Sequence, residues 1–273
     1  MHELPESRVL AKQLSQTVLK KKITHAVAAS SPHGFAWYHG DPAEYSELLV
    51  GKSFTAANAF GSYVELSGKG VSLALSEGAT IRHLAKGAKR PPKHQLYLEF
   101  ADGTGLYSTI QMYGGIFAFA LGKYANDYYH ISKNALPYDD DAFDLAYLKS
   151  LLPEKKASLS VKAFLTTEQR IPGLGNGVLH DILFSCGLHP KRKIHTLSSD
   201  DWQRMYNSIR ETLQEMEEQG GRNVEKDLFG NSGGYVTILS AKTVGTPCFK
   251  CGTIIKREAY LGGNIYYCPE CQK

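Results

Sequence analysis

Four cysteines near the C-terminus constrain this chain more than any other feature: Cys248-x2-Cys251 and Cys268-x2-Cys271, with sixteen residues between the pairs. A Cys-x2-Cys knuckle presents two thiolates from one tight turn, and two knuckles at this separation match a closed tetrahedral zinc site. Disulfides between them are disfavoured in a reducing compartment. Gly252 and Pro269 follow the second and third of these cysteines. Ile254-Ile255 and Ile265-Tyr266-Tyr267 flank Gly262-Gly263-Asn264, which reads as a β-hairpin with that triplet at its turn. One structural Zn2+ is expected on Cys248, Cys251, Cys268 and Cys271. Cys186 lies in an apolar helical stretch and reads as a buried core thiol.

The 273 residues suffice for two domains plus this appendage. Residues Pro5 to Lys22 read as an amphipathic helix with Leu10, Leu14 and Val18 at four-residue spacing. From Ile23 onward the pattern changes to short aromatic or alternating runs. Ala36-Trp37-Tyr38, Tyr63-Val64-Glu65-Leu66, Gln95 to Phe100 and Ile116 to Phe119 are examples, punctuated by turns such as Asp102-Gly103. Two packed antiparallel sheets are expected. The acidic Tyr138 to Asp141 segment marks the crossing into a helical part. A short helix begins at Ser160-Val161, the turn Ile171 to Gly177 breaks it, and a second helix runs until Gly187. Ser198 with Asp201 is a capping-box pair opening a helix whose stripe is Trp202, Tyr206, Ile209, Leu213 and Met216, closed at Gly220-Gly221. The fold class is α+β: an N-terminal helix and antiparallel β-sandwich (1–134), a helical domain (135–240) and a C-terminal hairpin zinc finger (241–273).

Hydrophobic content of 42% and charged content of 21% describe an ordinary globular chain. No apolar run approaches the length of a membrane span, and the acidic start Met1 to Glu6 is no secretory signal, so a cytoplasmic location is expected. A net charge of +4 permits a nucleic-acid partner without demanding one. Lysine and arginine cluster at Lys20 to Lys22, Lys155-Lys156 and Lys191 to Lys193, where a solvated surface is the plainer reading of each run. The glycine turn Gly173-Leu174-Gly175-Asn176-Gly177 lets backbone approach a ligand, and the N–H groups of the helix it opens suit a phosphate. As a simple helix connector it would be unremarkable. Glu3 and Glu6, at a helix start, read individually as partners of the helix dipole.

In combination these elements resemble the formamidopyrimidine-DNA glycosylase and endonuclease VIII family. The opening Met1-His2-Glu3-Leu4-Pro5-Glu6 is similar to the family's start. Val161 to Leu165 followed by Ile171 to Asn176 is similar to its helix–two-turn–helix, and Pro247 to Gln272 to its zinc finger. The resemblance implies a cleft for double-stranded DNA, damaged or bent, gripped by Lys162, Gly173, Gly175, Asn176 and the finger tip. It further implies base excision by an N-terminal proline amine through a Schiff base, with the adjacent glutamate, here Glu3, shuttling protons.

The sequence departs from that pattern at several places. Residue 2 is His2, which is too large for ready removal of Met1, so no secondary amine is expected. Ser62 stands where the family carries a lysine. Gly263, or Asn264 with a one-residue slip, stands where the family's hairpin carries an arginine. Gln111-Met112-Tyr113-Gly114 replaces an arginine-rich void-filling loop and leaves Tyr113 as the wedge. The segment from Gly221-Arg222-Asn223 to Gly230-Asn231 falls where the family places its lesion-capping loop; Arg222, Glu225 and Lys226 are candidates to line an altered pocket, against a simple mobile loop. The expected function is a DNA-glycosylase-like, monomeric, damaged-DNA-binding enzyme using Glu3 and lacking lyase chemistry. A non-catalytic binder of damaged or abasic DNA is the alternative.

Overall fold

The structure, a computed structural model, describes residues 2–153 and 158–273; Met1 and Lys155-Lys156 lie outside them. Helix α1 (Leu4–Thr17) carries Pro5 in its first turn, where the fixed φ of proline suits the helix. It stops before Lys22, shorter than its apolar spacing suggested. Lys20 adopts a left-handed backbone (φ 65°), and its N–H donates to Phe54 O at 2.8 Å, turning the chain into the first strand.

A four-stranded sheet runs in the order β1 (Ile23–Ala28), β7 (Leu96–Phe100), β8 (Gly105–Ile110), β6 (Ala79–Leu84). A five-stranded sheet runs β2 (Ala36–Tyr38), β9 (Gly114–Ala120), β5 (Val71–Leu75), β4 (Tyr63–Gly68), β3 (Phe54–Phe60). Pairing is antiparallel as expected, except that β2 lies parallel to β9. Period-two alternation sends Leu96, Leu98 and Phe100 inward to meet Leu66, Leu73, Leu75 and Ile116 in one apolar core. A short helix α2 (Tyr45–Leu49) seals one end with Tyr45 and Leu49. Helix α3 (Asp127–Asn134), which the sequence reading did not foresee, lays Tyr129 on a second, aromatic cluster with Tyr63, Phe117, Phe119 and Tyr124.

Beyond it come α4 (Leu145–Ser150), α5 (Val161–Thr166), α6 (Asn176–Cys186) and α7 (Ser199–Glu218). Their ends follow local chemistry. Ser160 Oγ accepts the Ala163 N–H, Gly187 closes α6 in a left-handed conformation (φ 72°), and the Ser198–Asp201 capping box opens α7. Leu165, Val178, Ile182, Trp202, Ile209 and Leu213 share the helical core, and Cys186 is buried beside them. The last hairpin, β10 (Lys256–Tyr260) and β11 (Gly263–Tyr267), packs on α6 through Phe184, Leu239 and Ile255. Its first strand starts later and its second earlier than expected, and its tight turn is Leu261-Gly262, both at positive φ, so Gly263 and Asn264 belong to β11.

Two segments cross between the lobes. Leu4 at the head of α1 joins the helical core, whereas Leu10, Leu14 and Val18 join the sandwich core. In the reverse direction, Leu228 leaves the helical side and is fully buried in the sandwich core. Its N–H donates to Gln13 Oε1 (2.9 Å), its carbonyl accepts from the His83 N–H (2.9 Å), and Gln13 also donates to Asp227 Oδ2 (3.0 Å). The 221–231 segment is therefore a strap rather than a free loop. Leu228→Ala should cost about 2–5 kcal/mol in urea unfolding, as for a buried leucine whose site cannot collapse; a loss under about 0.5 kcal/mol would show that the strap does not carry the lobe junction.

Candidate functional site

Glu3 immediately precedes α1, and its carboxylate meets the start of α6. Glu3 Oε1 and Oε2 accept the Gly177 and Val178 N–H groups at 2.8 and 2.9 Å. The donors that the glycine turn was expected to offer a phosphate are thus taken by a carboxylate of the same chain. Glu6, one turn on, accepts the Glu3 N–H (2.9 Å) and holds Arg222 bidentately, with Nε to Oε1 at 2.9 Å and Nη2 to Oε2 at 2.7 Å. Arg222 Nη1 also stands 3.6 Å from Glu3 Oε1.

The glycines are required by this cluster. A Cβ on Gly175 would lie 2.7 Å from the Glu3 carboxyl carbon, and one on Gly177 only 1.5 Å from Arg222 Nη1. Gly173 packs instead on the β3–β4 turn, where its Cβ would reach Gly61 C at 2.3 Å, and its carbonyl accepts the Leu4 N–H. Burial pushes the Glu3 carboxyl up, opposed by the charge of Arg222 and the two N–H donors. Burial acts on Glu6 too, but the Arg222 hydrogen bonds outweigh it and Glu6 ends below the usual range. His2 is buried, its Nε2 lies 2.8 Å from Ser62 O, and burial pushes its pKa down.

The hairpin tip closes on the same end of α6. Lys162, buried on α5, donates from Nζ to Tyr260 O at 2.9 Å, and burial lowers its pKa. Asn176 is exposed, and a Cβ on Gly263 would sit 2.9 Å from its Nδ2. Of the two positions that the sequence left open for the family's arginine, Gly263 is the one facing Asn176 and Lys162. Asn264 pairs with Ala259 and is exposed. His180, under the tip, packs edge-on against Tyr266 (5.0 Å) and is pushed down to about 4 by burial, then by Lys162. Tyr113 lies away from this cluster, between β8 and β9, tilted against Trp37 at 5.9 Å.

The four cysteines converge: their Sγ atoms all lie within 4.8 Å of one another, with Cys248–Cys271 at 3.8 Å and Cys251–Cys268 at 3.4 Å. Tetrahedral M–S bonds of about 2.3 Å require S···S edges of about 3.8 Å, so the donor set fits one metal ion. Gln272 fixes the second knuckle, accepting the Cys268 N–H and donating to Leu188 O.

The sequence reading missed Glu6 and Arg222 as a pair and His180 altogether. The three-residue spacing of Glu3 and Glu6 was the available signal, since it places both on one helix face. Arg222→Met should cost about 3–5 kcal/mol at pH 7, because it strands two buried carboxylates. The deficit should shrink as pH falls. Glu6, depressed in the wild type, gives stability present above its unfolded pKa and lost as pH drops through its folded pKa, whereas the stranded carboxylates gain by protonating. Urea unfolding of both proteins at pH 7 and pH 4.5 measures this, and an undiminished gap at the lower pH would refute the ion-pair account.

Comparison with known proteins places this geometry. The model of the formamidopyrimidine-DNA glycosylase H2TH domain matches residues 135–227. The formamidopyrimidine-DNA glycosylase of Carboxydothermus hydrogenoformans is 28% identical, with all of both chains covered. That of Bacillus subtilis is 27% identical, covering 100% of this chain and 99% of its own. Among solved structures, the Lactococcus lactis enzyme in complex with abasic-site DNA superposes with a TM-score of 0.83 at 22% identity over 99% of each chain. The MutM (Fpg) protein from Thermus thermophilus does so at 0.81 and 23%, over 99% of this chain and 98% of its own. The chain thus carries a helical module similar to the formamidopyrimidine-DNA glycosylase H2TH domain, is similar end to end to formamidopyrimidine-DNA glycosylases, and shares their fold.

Proposed function

We propose that this protein binds damaged double-stranded DNA and removes a base by hydrolysis of its N-glycosidic bond, with Glu3 as proton acceptor and without a covalent amine intermediate. The state of Glu3 carries this reading. Its side chain keeps 14% exposure, burial raises its pKa, and two of its roughly four lone-pair sites remain after the Gly177 and Val178 N–H groups are served. A carboxylate so held can accept a proton from a water attacking C1′ while the C1′–N bond breaks and the base departs with its electron pair, protonated from solvent. Among the described residues at the cluster, His2, Ser62, Gly175, Gly177 and Arg222 offer no primary or secondary aliphatic amine. The names of the relatives and the abasic-site DNA in their solved structures support the substrate class.

Lys162, Asn176 and the hairpin tip are assigned to the sugar–phosphate backbone, Gly173 and Gly175 to shaping the turn beneath it, and Tyr113 to the base stack. The four thiolates are assigned to one structural Zn2+ that keeps the hairpin against α6. The protein is read as a monomer acting in the cytoplasm; no described helix is long and apolar enough to cross a membrane.

Duplexes carrying 8-oxoguanine, formamidopyrimidine, oxidised pyrimidine or an abasic site test the reading, with borohydride trapping in parallel. Base release is expected from at least one lesion, lost by a factor of about 100 or more in Glu3→Gln, with no trapped adduct. A trapped wild-type adduct would overturn the hydrolytic route and point to an amine, that of Met1 included. Tight, salt-sensitive binding with no release from any lesion would leave a non-catalytic damage-binding protein. Lys162→Ala should weaken binding to every duplex, and chelation of the metal should do the same while the near-ultraviolet spectrum of the sandwich persists.

A further inference from the structure

At the base of the C-terminal hairpin, away from its tip, a groove of about 340 Å3 runs between the end of α6 and the first cysteine knuckle. Its floor is apolar, with Phe184, Leu239 and Ile255 all buried. Its walls are fixed by hydrogen bonds. The Asp181 carboxylate on α6 accepts the Ile238 and Leu239 N–H groups at 2.9 and 2.8 Å, and the Cys248 N–H donates to Thr253 O at 2.8 Å. The rim is the opposite case. Val236 is 70% and Phe249 71% exposed, and Ile254, next to Ile255 in the chain, is 49% exposed. Single exposed apolar residues are ordinary, whereas several gathered at one groove mark an interaction surface.

Charge narrows the occupant. No charged side chain lines the groove, and the segment 241–273 around it holds five lysines or arginines against two glutamates. Both glutamates are engaged, Glu258 with Lys191 and Glu270 with Lys273. Lys242, Lys250 and Lys256 pair with no carboxylate among the described residues. Lys250 leans across the groove, with Nζ 4.7 Å from the centre of the Phe184 ring and 6.0 Å from that of Phe249. Lys242 precedes Thr243, a residue of the wall. A phosphate backbone would answer the lysines and leave Val236 and Phe249 in water. An occupant with both an apolar anchor and carboxylates satisfies the whole surface. The chain's own acidic and apolar stretch, Tyr138 to Leu145, keeps Tyr138 and Phe143 buried, so a second copy does not supply that anchor.

We propose that this groove docks an acidic peptide segment of another protein, anchored by one or two large apolar side chains against Phe184 and Phe249, with Lys242 and Lys250 meeting its carboxylates. Phe184 lies about 12 Å along the α6 axis from Asn176, from eight residues of helical rise. A partner held there leaves the hairpin tip free, so the surface does not depend on the Glu3 chemistry or on the residues assigned to DNA.

Fluorescence anisotropy with the labelled hexapeptide Asp-Glu-Asp-Glu-Leu-Phe tests it. Saturable binding below about 1 mM is expected, weakening as salt is raised. The peptide ending in Ala-Ala should bind about tenfold more weakly, the loss of one or two buried apolar side chains, and the peptide Lys-Lys-Lys-Lys-Leu-Phe should not bind. Phe249→Ala and Lys250→Glu should each weaken binding about tenfold while the urea midpoint and the affinity for damaged duplex stay unchanged. Val236→Asp, on the opposite wall, should do the same. Absence of wild-type binding, equal affinity for the Ala-Ala peptide, or affinity that survives all three substitutions overturns the proposal. Displacement of the peptide by an undamaged duplex would place DNA on this face and overturn it too. A dimer in sedimentation equilibrium that Phe249→Ala abolishes would assign the face to a second copy, and co-flotation with phosphatidylglycerol vesicles lost in the same variant would assign it to a lipid surface; either result overturns the peptide.

Discussion

The guanidinium of Arg222 is the interaction on which the rest of the structure depends. It is 3% exposed and joined to Glu6 across 216 residues of chain, with Glu3 within ion-pair reach. Through these contacts it ties the head of α1, the start of α6 and the strap that follows α7. A buried ion of this kind costs several kcal/mol in lost hydration, recovered only when its donors are matched with good geometry. The bidentate pair with Glu6 does so. Two carboxylates against one guanidinium leave an excess of negative charge, and it falls on Glu3, the less completely paired member. The groups that join the lobes thus also act on the Glu3 carboxyl, where Arg222 opposes and Glu6 adds to the upward push of burial.

This arrangement changes the meaning of the glycine turn. A helix N-terminus preceded by glycines is a ready anion site, and here the anion is internal. Gly175 and Gly177 make room for Glu3 and Arg222, while Gly173 makes room for the β3–β4 turn. With the Gly177 and Val178 N–H groups engaged, these two donors are closed to an external phosphate, and side chains at the surface of the joint gain in weight. Asn176 has that position, and the Lys162 ammonium keeps donors beyond the one given to Tyr260 O.

Legibility in the sequence followed the range of the interaction. Caps and spacings are local, so Ser160, Gly187, the Ser198–Asp201 box, the alternating strands and the cysteine knuckles could be read directly. Tertiary competition was not legible. The end of α1 is set by Phe54 O capturing the Lys20 N–H, the parallel seat of β2 by its neighbour β9, and the hairpin register by Leu261 adopting a positive φ that its residue type disfavours. Arg222 could be suspected as a pocket residue, but only the fold shows that it turns inward.

Position 263 shows how the scaffold accommodates a missing side chain. With glycine there, β11 approaches α6 closely enough that an added Cβ would meet Asn176 Nδ2 at 2.9 Å, tighter than ordinary contact. A larger residue would have to displace Asn176 or lift the strand. The close approach in turn brings Tyr260 O within reach of Lys162, so a cation from α5 stands at the tip where the resemblance led one to expect an arginine from the hairpin. Lys162 is buried, and its ammonium is fixed on a carbonyl of the finger. The charge it presents is therefore held in place by the hairpin, and the hairpin by the cysteine knuckles and Gln272. In this chain the four cysteines act on the α6 surface indirectly, by fixing where one lysine can point.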